Sequence, residues 1–396
     1  MDKQTIRRYL ILSTLYRTSV SFIAATYVTF LISHGLNLFE VSLVNFVFHS
    51  VMFIAEIPTG AIADVYGRRI SFFCACTLNG LGLIAYAFSS SFYGFALSEA
   101  VIAVGATCAT GAFQAWLVDR LRHFGYDQKI ARVITKERQI DTAAGIVAAL
   151  IGSSLAMRNQ GLPWLVGGML SLVAAGLAAA WMKEEYLKPG VKTGRKGFAE
   201  IGQTAVAGIR FANQQKNIRF ILLISALQSF AVMAPNMQWQ PMFLPHLGSK
   251  QHLGFVWAGI ALSVMVGAAA WQRLLKSVRC EKTALTVAQI AVAGGIAGTA
   301  LFAQHFPLSI AIFMAHEAAR GVWRPLKEVY LHDNIPHAHQ RATIVSCEAI
   351  IHHLGGATGL LMSGYLASIT SMCETWMLTG CILAIGTLIV FRNRER

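Results

Sequence analysis

Twelve apolar stretches, each long enough to cross a lipid bilayer, divide the 396 residues of this chain. They run near 9–34, 40–63, 70–90, 92–118, 137–157, 162–182, 217–244, 253–275, 283–303, 307–331, 342–369 and 372–391. About 20 apolar residues in helical conformation cross a hydrocarbon core of roughly 30 Å. The pattern therefore predicts an all-α integral membrane protein with twelve transmembrane helices in two six-helix bundles. Composition agrees, because 55% of the residues are hydrophobic and 13% charged, against about 25% charged in soluble domains. Such a chain cannot cover itself with polar surface.

The formal charge of +14 could in isolation suggest nucleic acid. The distribution of the basic residues argues otherwise, since Lys and Arg accumulate in cytoplasmic loops of membrane proteins. With a cytoplasmic N-terminus, 26 of the 33 basic residues fall on cytoplasmic segments, and only Arg158 and Lys250 on the opposite loops. Arg17, Lys136, Arg138, Arg320 and Arg324 lie within spans. The charge is thus read as topology, with both termini cytoplasmic and no nucleic-acid partner. The first span follows Lys3, Arg7 and Arg8 like a signal peptide, but its apolar run is too long and lacks a small-residue cleavage site, so it is expected to remain as a helix. Seven cysteines without C-x-x-C spacing are read as reduced, packed thiols.

The longest polar segment, 183–216, separates the apolar stretches six and six. This predicts an N-terminal bundle over 1–182, a cytoplasmic linker over 183–216 and a C-terminal bundle over 217–396, the organisation of a duplicated transporter.

Just beyond the second stretch, residues 60–69 read Gly-Ala-Ile-Ala-Asp-Val-Tyr-Gly-Arg-Arg. Gly60 and Gly67 suit close approach and a tight turn, Asp64 a neighbouring helix N-terminus, and Arg68 and Arg69 a carboxylate across the bundle. This segment resembles the signature G-x-x-x-D-x-x-G-R-[RK] of the major facilitator superfamily, in the loop where that family carries it. Glu56 to Gly60, Asp119 at the close of span 4, Trp239-Gln240-Pro241, Ile335-Pro336 and Arg341-Ala342-Thr343 are similar to a bacterial branch of drug efflux permeases. The resemblance implies the major facilitator fold in a bacterial cytoplasmic (inner) membrane. It also implies a conformational gate of Gly60, Asp64, Gly67, Arg68, Arg69 and Asp119, with Asp64 facing the start of span 11 near Arg341 and Arg68 or Arg69 reaching Asp119. Three departures stand against a standard drug antiporter. The second copy expected over Arg273–Arg279 lacks the acidic residue and glycines, span 4 has no R-x-x-x-G arginine, and span 5 lacks a glycine-proline pair.

Ionisable residues inside spans are costly and usually face a bundle interior or a watery cavity. Arg17, Glu99, Arg138, Asp141, Glu317, Arg320 and His352 are therefore candidates for substrate binding and proton coupling. Glu317 could trade a proton against substrate or form a standing pair with Arg320 at i,i+3, and Arg138 with Asp141 has the same spacing. Arg17 is alone in its span and needs a partner on another helix or an anionic substrate. Glu348 and His352 form an i,i+4 pair. Phe230, Met233, Met237, Trp239 and Phe243 surround Pro235 and Pro241, reading either as a broken helix suited to a flat apolar solute or as packing around a proline kink. Gly355, Gly356, Gly359 and Gly364 read as close helix packing.

No cofactor, metal site or enzymatic activity is expected. The reading is a monomeric carrier, exporting a small organic solute by alternating access coupled to protons. Uptake of an anionic solute and a non-transporting, carrier-like sensor or lipid-interacting protein are the alternatives.

Overall fold

The structure, a computed structural model, describes residues 2–126, 130–184, 215–274, 280–335 and 341–392. These carry fourteen α-helices and no strand. In chain order they are α1 Asp2–Ala24, α2 Tyr27–Ser33, α3 Leu38–Tyr66, α4 Arg68–Phe88, α5 Phe92–Ala109, α6 Ala112–His123, α7 Ile130–Arg158 and α8 Leu162–Trp181. They continue as α9 Lys216–Leu247, α10 Leu253–Leu274, α11 Glu281–Leu301, α12 Phe306–Asp333, α13 Arg341–Ile369 and α14 Met372–Arg392.

Two pairs are single apolar stretches interrupted by a local break. The axis bends by 48° between α1 and α2, and Gly111 at φ 75° separates α5 from α6, a backbone angle that glycine adopts without penalty. Counting each pair once, the order accommodates the expected twelve. By length and apolarity alone, ten helices among the described residues could cross a membrane, or eleven with the bent pair. The remaining segment is α12, where His316, Glu317 and Arg320 interrupt the apolar run. The prolines at 235, 241 and 245 do not break α9, which is continuous.

Two compact units form. The first contains α1, α2, α4 to α8 and most of α3, together with Leu247–Ala258 at the start of α10. Its core gathers Tyr9, Leu12, Phe72, Phe113, Trp116 and Leu117. The second contains the rest of α10, α9 and α11 to α14, together with Leu36–Leu43. Its core gathers Phe220, Trp271, Leu285, Trp323, Leu326 and Tyr330. Large apolar side chains also stand on the outside, with Phe88 77%, Leu97 69% and Val266 64% exposed, which suits a hydrocarbon surrounding and not water.

In lipid, apolar side chains gain little by leaving the solvent, so close packing decides which helices pair. Glycine supplies it. A Cβ on Gly152 of α7 would overlap the carbonyl of Phe22 on α1, and one on Gly167 of α8 that of Ser19. In the second unit Gly355 and Gly359 of α13 lie against the carbonyls of Ala226 and Phe230 on α9. These contacts draw α1 onto α7 and α9 onto α13.

Candidate functional site

Between α1 and α7 of the first unit lies a polar cluster that the glycine contacts bring together. Glu137 and Asp141 share one face of α7 at i,i+4 spacing. The Tyr9 hydroxyl donates to Glu137 Oε2 at 2.7 Å, and Thr14 Oγ1 donates to Asp141 Oδ1 at 3.0 Å. Ser13 Oγ stands between the two acids, 2.7 Å from Glu137 Oε1 and 2.8 Å from Asp141 Oδ2. Arg17 Nε is 3.6 Å from Asp141 Oδ2, with the Arg17 side chain 67% exposed and that of Asp141 9%. The expected Arg138–Asp141 pair is not made. Arg138 is exposed and Asp141 pairs with Arg17, because its side chain points to α1 and not along its own helix.

Glu99 of α5 is 5% exposed. It accepts from Tyr27 Oη at 2.6 Å and Tyr86 Oη at 3.2 Å, both on Oε1. Phe30, Phe95 and Trp164 close around these tyrosines, Trp164 stacked on Tyr86 at 4.0 Å.

The signature residues occupy the α3–α4 corner. Gly67 turns the chain at φ 94°, leaving Arg68 at the first position of α4. Its guanidinium pairs with Asp119 of α6. Its backbone N–H donates to Glu184 Oε1 at 2.7 Å, giving the α4 N-terminus a carboxylate partner. Burial raises the Glu184 carboxyl above its usual range, partly offset by those backbone N–H bonds and by the charges of Arg68 and Arg69. Arg69 Nη2 donates to the Ala179 carbonyl of α8 at 2.5 Å. Gly60 lies within α3. The side chains of Asp64, of Arg341 and of the segment Arg273–Arg279 expected to hold the second signature copy lie outside the described residues.

In the second unit, Glu317 is 3% exposed and accepts from Arg320 Nη1 at 2.7 Å. The same Nη1 donates to Asn236 Oδ1 of α9 at 2.9 Å, and the Arg320 side chain is 26% exposed. His316 packs beside them, its Nδ1 3.1 Å from the Val292 carbonyl. A carbonyl can only accept, so Nδ1 carries the proton there.

A second ionic cluster joins α9, α12 and α13. Lys327 Nζ is 2.9 Å from Glu348 Oε1 and 3.1 Å from Glu328 Oε1. Ser225 donates to Glu348 and lies 3.2 Å from His352 Nδ1. His352 thus meets Ser225, which bridges it to Glu348, while His353 is exposed. Tyr9, Ser13, Glu137 and Lys327 were absent from the sequence-derived candidates. The spacing of Glu137 to Asp141 could have shown the first pair, whereas the charge count assigns Lys327 to a cytoplasmic segment although it is 7% exposed inside α12.

A family model described as Major Facilitator Superfamily matches residues 9–297. An uncharacterized MFS-type transporter, YxaM of Bacillus subtilis (strain 168), is 23% identical over 386 residues, covering 95% of this chain and 92% of that protein. Among solved structures, a mutant of the nucleoside transporter NupG superposes with a TM-score of 0.83 at 14% identity, covering 98% of this chain and 99% of that one. A D-xylose-proton symporter gives 0.71 at 12% identity, covering 98% and 96%.

Proposed function

The chain belongs to the major facilitator superfamily, and from that premise we propose that it is a secondary active carrier exporting a small organic solute in exchange for protons. The observation that carries this reading is the Glu317–Arg320–Asn236 arrangement. Glu317 is a carboxyl shielded from water inside α12, and its guanidinium partner is one quarter exposed and also bound to a neutral amide. When Glu317 loses its proton, Arg320 stabilises the carboxylate. When Glu317 is protonated, Arg320 is released toward another acceptor, so proton and solute can be exchanged at one place. Glu99, held by two tyrosine hydroxyls, is the second coupling candidate.

The reading also comprises a monomer in a bacterial inner membrane, both termini cytoplasmic, with bundles over 1–182 and 217–396 joined by the 183–216 linker. The basic-residue partition supports this topology. Single cysteines at positions 36 and 195 of a cysteine-free variant should label from opposite sides, and labelling of both from outside would overturn it.

The second reading, uptake of an anionic solute, is favoured by Arg17. Its side chain is two-thirds exposed and makes one long contact with Asp141, leaving donors available.

The test begins with thermal stabilisation of purified protein by a panel of organic solutes across pH. Stabilising solutes are then followed in proteoliposomes under a pH gradient. Glu317→Gln should abolish gradient-driven accumulation and retain solute-for-solute exchange, which needs no net proton movement. Accumulation by Glu317→Gln equal to wild type would place coupling elsewhere, and binding without flux by wild type would support a sensor.

A further inference from the structure

The hydrogen-bond donors between α1 and α7 do not suffice for two carboxylates. Glu137 Oε2 receives Tyr9, and Asp141 Oδ1 receives Thr14. The facing oxygens, Glu137 Oε1 and Asp141 Oδ2, both lie within hydrogen-bond distance of Ser13 Oγ, at 2.7 and 2.8 Å. A serine hydroxyl has one proton to donate. It can serve one of the two oxygens, and the other contact needs a proton from the carboxyl itself. Without it, two lone pairs would face each other below 3 Å in a site where Glu137 is only 7% exposed.

The surroundings supply little compensating charge. Arg17 meets only Asp141, at 3.6 Å and largely in the open. Among the described residues Glu137 has no cationic partner. Lys136 and Arg138 of α7 are exposed. On α6, Arg120 is bound to Thr5 and the Lys183 carbonyl, and Asp119 to Arg68. The Tyr9 ring stacks on Phe113, and α8 contributes no ionisable residue.

An independent comparison comes from the second unit, where the same device recurs with different chemistry. Glu137 and Asp141 are the eighth and twelfth residues of α7, and Glu348 and His352 are the eighth and twelfth of α13. Ser225 of α9 stands between Glu348 and His352, as Ser13 of α1 stands between the two acids. There Lys327 neutralises Glu348, Ser225 donates to Glu348, and a neutral His352 donates its Nδ1 proton to Ser225. Every contact is satisfied without an added proton. In the first unit, where the lysine and histidine are replaced by a second acid, the same geometry is satisfied only by adding one.

We propose that Glu137 and Asp141 form a proton-binding site that holds a single exchangeable proton through Ser13. In the loaded state one carboxyl donates to Ser13 Oγ and Ser13 donates to the other. Release of that proton to water past Arg17 leaves two carboxylates competing for one hydroxyl, and one of the two Ser13 bonds to α7 is lost. Proton occupancy is thereby linked to the pairing of α1 with α7. Use of this proton in transport rests on the proton-coupled reading above, but its existence is measurable without any solute.

The experiment is pH-titrated infrared difference spectroscopy of the purified full chain in lipid nanodiscs. Beside the bands of Glu99, Glu184 and Glu317, assigned by their own Gln variants, wild type should show a further protonated-carboxyl C=O band that disappears on alkalinisation. Glu137→Gln and Asp141→Asn should each abolish that band, because removing either acid leaves Ser13 sufficient for the other. Ser13→Ala keeps both acids and should shift the pH midpoint of the band. It serves as the deciding variant if an acid substitution prevents insertion. Survival of the band in either acid variant, or an unmoved midpoint in Ser13→Ala, would overturn the shared proton. No flux result bears on these spectra, so failure of the transport reading and failure of this one are separable.

Discussion

Lys327 Nζ lies 2.9 Å from Glu348 Oε1, with side-chain exposures of only 9% and 7%. Two charges removed from water this far are stabilising only as a pair, and deleting one leaves the other uncompensated at a cost of about 3–5 kcal/mol. Lys327→Met should therefore lower the thermal midpoint of purified protein strongly. Lys327→Met combined with Glu348→Gln should restore most of the loss. A double variant as unstable as the single one would show that the two residues do not act as a unit.

The Arg68–Asp119 pair has a different energetic character. Its side chains are 28% and 37% exposed, and partly solvated pairs contribute roughly 0–1 kcal/mol. Arg68→Ala and Asp119→Asn should leave insertion and thermal midpoint nearly unchanged while reducing flux, since the lost contact biases a conformational equilibrium more than it holds the fold. Asp64→Asn and Arg69→Ala, in the same signature, should behave alike. Normal flux at normal protein level in all four would remove this corner from the transport cycle.

Glu184 gives a pH signature at the same corner. Its carboxyl is raised above the ordinary value of 4.5, chiefly by burial. The folded chain therefore holds this proton more tightly than the unfolded chain. The resulting stabilisation is complete below the ordinary value and is lost as pH rises through the raised folded value. Over that window the thermal midpoint of wild type should fall with pH more steeply than that of Glu184→Gln. Equal slopes would exclude the linkage.

Glycine substitutions separate packing from propensity. A side chain at Gly152 meets the backbone carbonyl of Phe22, which no rotamer change can relieve. Gly152→Val should cost at least about 1–3 kcal/mol by forcing α1 away from α7. Gly176 of α8 has nothing within 4 Å of an added Cβ, and Gly176→Ala should gain about 0.5–1 kcal/mol from helix propensity. Thermal midpoints of the two variants in one detergent test both, and similar midpoints would contradict the close α1–α7 contact.

The amino-acid sequence by itself determined that the chain is helical and membrane-embedded, because a hydrophobic run of sufficient length has one way to satisfy its backbone in lipid. It also determined the Gly67 turn, which rests on one residue's backbone freedom, and it offered the Glu317–Arg320 contact as one of two readings at i,i+3 spacing. The partners of Glu137, Asp141 and Glu348 were decided only by tertiary structure. Tyr9 and Glu137 are 128 residues apart, and Ser225 and Glu348 are 123 apart. Such pairs meet only after Gly152 and Gly355 have allowed two backbones into contact. For the same reason Arg138, well spaced for Asp141 along the chain, was displaced by Arg17. The face of α7 that carries Asp141 turns toward α1, and helix packing, not spacing along one helix, selects which cation it finds.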